Sequence, residues 1–184
     1  MWLLSSACRL RYIRSRVCTP SHSGLVAFEF EGDIAGDRYA ALVDFLSPRA
    51  RFVLLVVCDG DGRGRVGRIV DAFAAAGAKA ERRSEWPGTR LVGGTATVLT
   101  APSNAGTATF LKASSDSLFG WCAPDRPTDL CFVDARGVAI LETVAHERIG
   151  TLRLSEADWE AWNRHPRLGG DWRWRDASNN LRPG

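Results

Sequence analysis

Lysine, methionine and closely paired cysteine are almost missing from this 184-residue chain, and each shortage removes a class of explanation. Arginine outnumbers lysine 22 to 2. Together with the abundant alanine and glycine, that ratio is the mark of a GC-rich coding sequence, and it lowers the information in any single Gly-Arg match. The five cysteines, Cys8, Cys18, Cys58, Cys122 and Cys131, show no close paired spacing, which excludes a zinc ribbon and a disulfide framework. Cys58 and Cys131 lie instead in apolar runs, the ordinary place for a buried reduced thiol, and reduced thiols fit a cytoplasmic setting. No run approaches the ~18–20 apolar residues a bilayer-spanning helix needs, so no membrane partner is expected. A calcium loop counted from Asp59 requires a glutamate where the chain has Val70, and no metal site is expected.

What is present reads as globular. Hydrophobic residues make up 45% and charged residues 24%, and 184 residues suffice for one domain with a sizeable core. The net charge of +3 is unevenly spread. Residues 1–24 hold four arginines and no acid, forming a basic leader expected to be disordered, a transit-like segment or the product of a mistaken start at Met1, the one methionine. Residues 164–184 form a tail rich in Arg and Trp, while the body, 25–163, carries 15 basic against 19 acidic residues. An acidic body disfavours phosphate tracking by the core and leaves nucleic-acid binding to the basic tails.

Periodicity divides the body into elements. Leu25–Glu31 alternates as a strand, 37–46 carries Tyr39, Leu42, Val43 and Leu46 at helical spacing, and Ser47-Pro48 stops that helix. The run from Phe52 to Cys58 suits a central strand buried on both faces. After a glycine turn, Val66, Ile69, Val70, Phe73 and Ala74 form an apolar stripe that Gly77 is placed to cap. This β-α-β-α order predicts parallel pairing. Beyond it, 78–86 and 91–100 around Pro87-Gly88 read as a hairpin with a polar edge strand, and 104–118 as a helix. Residues 129–134 and 138–145 around Arg136-Gly137 form another hairpin, with 149–154 as its third strand. Ser155 caps a last helix that is expected to end the ordered domain. The expected fold is α/β or α+β: a single domain with a mixed sheet, an N-terminal β-α-β-α portion, antiparallel hairpins and a C-terminal helix.

Gly62, Gly64 and Gly67 give G-x-G-x-x-G between a buried-strand pattern and a helix. The segment resembles a Rossmann dinucleotide-binding unit over roughly 30 residues. That resemblance implies NAD or another nucleotide at a helix N-terminus, Glu81 as the ribose-binding acid and reductase chemistry as an alternative function. Asp59 and Asp61 depart from the pattern, since they place carboxylates where a pyrophosphate would sit, and the second mononucleotide half is missing. His146, Glu142 and Cys122 are the candidate catalytic residues, although no family signature surrounds them. Trp86, Trp121, Pro124 and Pro127 lie at element ends, where indoles serve as partner contacts. The leading expectation is a non-catalytic protein-interaction or regulatory module with no cofactor and a protein as its partner.

Overall fold

A computed structural model describes residues 25–59, 64–169, 174–176 and 181–182. The first half comprises β1 (Leu25–Glu31), α1 (Asp37–Leu46), β2 (Phe52–Val57), α2 (Arg65–Ala75), β3 (Lys79–Arg83), β4 (Glu85–Trp86), β5 (Thr89–Arg90) and β6 (Ala96–Pro102). The second half comprises α3 (Ala105–Ser114), β7 (Thr128–Val133), β8 (Ala139–Val144), a 3-10 turn (Ala145–Glu147), β9 (Ile149–Ser155), α4 (Glu156–Arg164), β10 (Trp174–Asp176) and β11 (Leu181–Arg182).

Local chemistry explains most of these boundaries. In α1 the residues at helical spacing, Tyr39, Leu42, Val43 and Leu46, are all buried, together with Ala41 and Phe45. Gly77, at φ +91°, lets the chain leave α2 while the Ala78 N–H donates to the Phe73 carbonyl, a left-handed turn that glycine adopts without steric cost. The Asn104 side chain accepts from the Thr107 N–H at the start of α3, and Ser155 accepts from the Asp158 N–H at the start of α4.

Nine strands form one sheet in the order β11-β10-β1-β9-β8-β7-β2-β6-β3, and every pairing among the described residues is antiparallel. The fold is therefore α+β, and the expected mixed sheet with parallel pairing at its N-terminal end does not form. The alternating registers give the reason. β1, β2 and β3 do run in the same direction, as a β-α-β-α chain requires, but α1 carries the chain past three positions and α2 past one. The antiparallel strands β9, β8, β7 and β6 fill those gaps.

Successive residues of a strand point to opposite faces, and the two faces have different covers. Val53, Leu55, Leu99, Phe132, Leu141 and Leu152 join the buried residues of α1, α2, α3 and α4 in the main core. Leu54, Val56, Val98, Cys131 and Val133 point the other way, under Trp86 and Leu91 of the small β4–β5 hairpin. That hairpin is the tip of the expected 78–100 hairpin: β3 and β6 pair from Lys79↔Thr100 to Arg83↔Ala96, and the chain between them folds back over the sheet. β3 is an exposed edge strand of charged residues, a composition that discourages pairing with another chain. The chain beyond residue 163 also contributes, since Leu168 is buried in the core and β10 pairs with β1. No helix among the described residues is long and apolar enough to cross a membrane.

Candidate functional site

The sheet face away from the helices gathers the polar groups whose environment is least ordinary. Asp129, near the start of β7, is fully buried and holds φ +55°, a left-handed conformation that Asp adopts more readily than most residues. One carboxylate oxygen accepts from the Ala145 N–H at 3.0 Å and the Thr128 hydroxyl at 3.2 Å, and the other from the Trp86 indole N–H at 3.0 Å. Burial pushes this carboxyl above the usual range, opposed by those hydrogen bonds and by the charge of His146. The result is a latch: the hairpin tip and the 3-10 turn are both tied to one buried side chain.

The latch adjoins an ion pair. Beyond Trp86 the chain turns at Gly88, where φ is +81° and an added Cβ would lie 3.5 Å from Val144 and 3.8 Å from Glu142. Glu142 accepts from Arg153 Nη2 at 2.8 Å, and both side chains are largely covered. Arg153 Nη1 is buried with no hydrogen-bond partner among the described residues. The Cys131 thiol, pushed up chiefly by burial and then by Asp129, contacts the Pro87 carbonyl at 3.8 Å.

Arg153 also lines a cavity of about 240 Å³ where the β7–β8 turn, the end of β9 and the start of α4 meet. Leu25, Val138, Ile140 and Leu154 supply aliphatic walls, and Arg49 and Arg136 supply two further guanidinium groups. The two carboxylates of the lining, Asp134 and Asp158, are already engaged. Asp134 accepts from the Arg136 and Val138 N–H groups and from Arg136 Nε at 3.1 Å. Asp158 accepts from Arg49 Nε at 2.8 Å and from the Ser155 hydroxyl at 2.7 Å. Burial works to raise both carboxyls, but these bonds outweigh it and hold them below the usual range. Arg49 is further fixed by a bond to the Phe45 carbonyl and by stacking 3.7 Å over the Phe45 ring. Both carboxylates are thus engaged, while each guanidinium, with five N–H groups, keeps donors to spare.

The residues singled out by sequence are dispersed. Gly62 lies outside the described residues. Gly64 caps α2 at φ +64° and Gly67 sits in its first turn, but both neighbours of β2 run antiparallel to it. The crevice beyond parallel strand ends that a Rossmann unit offers is therefore not built here. Asp59 is bound by Arg82, and Glu81 accepts from Arg83 Nε at 2.8 Å on the exposed edge strand. Cys122 packs on the helix side of the sheet and Glu142 on the hairpin side, so these two candidates are not brought together, and His146 lies in the 3-10 turn beside the latch. Of the candidate partner contacts, Pro124 is exposed and Pro127 is buried. Trp86 and Trp121 are core anchors, 6% and 0% exposed. The Trp121 indole donates to the Tyr39 hydroxyl at 2.8 Å, so neither ring offers a surface.

Sequence reasoning passed over Asp129, Arg49, Arg136 and Arg153. An acid opening the apolar run Leu130-Cys131-Phe132-Val133 is a signal for the first; the arginines are lost among the others that the composition supplies. No family model, curated protein or solved structure matches the chain.

Proposed function

We propose that this chain is a non-catalytic module that binds another protein, and that the cavity between the β7–β8 turn, β9 and α4 receives an acidic group of that partner. The observation that carries this reading is the surplus of hydrogen-bond donors there. Arg49, Arg136 and Arg153 line the cavity, and its two carboxylates are already bonded. Arg49, held by Asp158 and the Phe45 carbonyl, and Arg153, held by Glu142, lose little freedom on meeting a carboxylate, and the planar guanidinium fork matches it in two parallel bonds. The buried carboxyl and thiol near this face are engaged in holding elements together: Asp129 ties the hairpin, and Cys131 lies packed beneath it. A photo-crosslinking residue at Val138, which is 41% exposed at the cavity wall, tests the proposal in the native host. The expected result is a discrete adduct that disappears with Arg136→Ala; an adduct pattern unchanged by that substitution refutes it.

A second reading, nucleotide binding at the start of α2, draws on one feature. Among the described residues no side chain caps that helix at Gly64, which leaves first-turn N–H groups to meet an anion. Titration with NAD, NADP, FAD and ATP during thermal melting tests it, because a ligand selective for the folded chain raises the melting point. A flat response to all four sinks it.

A further inference from the structure

We propose that the Arg49–Arg136–Arg153 cavity is a receptor for the C-terminal carboxylate of a partner chain whose last residue is aliphatic. This rests on the reading of the chain as a protein-binding module and names the group that the module would recognise.

Three properties of the cavity select that ligand. The first is its charge balance. Arg49 faces Asp158, Arg136 faces Asp134 and Arg153 faces Glu142, so the lining with its attached partners is close to neutral. A neutral lining accommodates a single negative charge better than the doubly charged phosphate of a phosphopeptide or nucleotide, whose desolvation it has no excess charge to offset. The second is the excess of guanidinium donors, which favours an acceptor-rich group. Carboxylate is the acceptor-rich group of single charge and planar shape.

The third property is size and wall chemistry. At about 240 Å³ the cavity falls below the ~300 Å³ at which pockets for drug-sized ligands begin, so it fits one residue and not an extended segment. Leu25, Val138, Ile140 and Leu154 want apolar contact beside the charged group. An aspartate or glutamate side chain within a chain carries its carboxylate on a bare one- or two-carbon stem and offers these walls little. A terminal leucine or valine presents a carboxylate and a branched apolar side chain from the same carbon, as the lining does in complement.

Titration of the full-length protein with N-acetylated hexapeptides, followed by the arginine Nε–H resonances in NMR, tests the assignment. The peptides end in Gly-Leu as the free acid, in Gly-Leu-amide, or carry the same residues with an internal Asp and an amidated end; hexanoate serves as a small free acid. The expected result is saturable binding of the free-acid peptide, at least tenfold weaker binding of the amide and of the internal-Asp peptide, and roughly tenfold loss for Arg136→Ala. The Arg136 side chain is 74% exposed and its loss leaves the core untouched, so this variant remains folded even where Arg153→Gln, which strips Glu142 of its partner, does not. Equal binding of acid and amide overturns the carboxylate assignment. Hexanoate binding as tightly as the peptide moves the site to small acids and overturns the chain-terminus assignment. If the Val138 adduct persists while all the peptides fail, partner binding stands without this ligand; loss of both removes both.

Discussion

Replacing Asp129 with Asn separates what the buried latch contributes by hydrogen bonding from what its charge costs. Asn tolerates the left-handed φ of +55° about as well as Asp, so the backbone is not newly strained, whereas Asp129→Ala adds the ~1–2 kcal/mol of a side chain without that tolerance. Ionised or neutral, the Asp129 carboxyl keeps acceptor lone pairs on both oxygens for two obligate donors, the Trp86 indole and the Ala145 N–H, whereas Asn retains one carbonyl oxygen and turns an NH2 toward the other donor. The loss of one such bond is worth about 1–3 kcal/mol. The charge acts in the opposite direction. Burial raises the Asp129 carboxyl in the folded chain, so the stability it contributes is fully present below the unfolded Asp value of about 3.9 and is lost as pH rises through the folded value, at ~1.4 kcal/mol for each pH unit between the two. The amide of D129N does not titrate. In urea unfolding followed by tryptophan fluorescence, D129N is expected to be about 1–3 kcal/mol less stable than wild type near pH 4, with a deficit that shrinks as pH rises. The charge on His146 opposes the rise, Cys131 lies alongside, and repeating the pair in a His146→Gln background isolates the carboxyl. A deficit that stays constant to pH 8 refutes the reasoning. A deficit that grows with pH refutes it too, since the donors would then stabilise the ionised form by more than burial penalises it.

Trp121→Phe removes the indole donor to the Tyr39 hydroxyl and leaves a small void in a fully buried site, so a loss of about 2–3 kcal/mol is expected in urea unfolding; a loss under about 0.5 kcal/mol, on the order of an ordinary surface change, contradicts the anchoring role. Asn104→Ala deletes the acceptor for the Thr107 N–H at the start of α3 and is expected to cost about 1 kcal/mol, while Asn104→Asp keeps the acceptor and stays near neutral by the same measurement.

Local elements were legible in the sequence because their signals are local. Tyr39, Leu42, Val43 and Leu46 recur at helical spacing, Gly77 and Ser155 mark ends with known hydrogen-bonding consequences, and the run from Phe52 to Val57 is buried on both faces as its composition implies. Adjacency was not legible. Nothing in β1 or β2 records that β9, β8 and β7 will insert between them, since a strand's alternation specifies which face is apolar and not which neighbour it pairs with. The same limit governed the indoles. Trp86 and Trp121 sit beside Pro-containing turns that suggest exposure, yet both are buried in apolar clusters with their N–H groups bonded to a carboxylate and a phenol 43 and 82 residues away. The spacing of the glycine turn describes a strand-to-helix passage, which this fold contains, while the direction of the neighbouring strands, antiparallel here, is not recorded in it.

One line of contacts joins the latch to the cavity. Asp129 holds Trp86; the turn that follows brings Gly88 against Val144 and Glu142 of β8; Glu142 holds Arg153 at 2.8 Å; and Arg153 lines the cavity. The turn lies over Val144 and the Glu142 stem with room for about a methyl group between them, so it covers Glu142 without clamping it. The hairpin is too short to hold itself together, as isolated two-stranded ribbons are marginal in water, so its position depends on Trp86 and Leu91 being seated. The geometry of Arg153 is thus set by the strand that carries it and by Glu142, whose stem lies under a hairpin anchored through a buried carboxylate on β7. A guanidinium held in this way is oriented before any ligand arrives, and orientation before binding is what allows a cavity of near-zero net charge to discriminate by shape and donor placement.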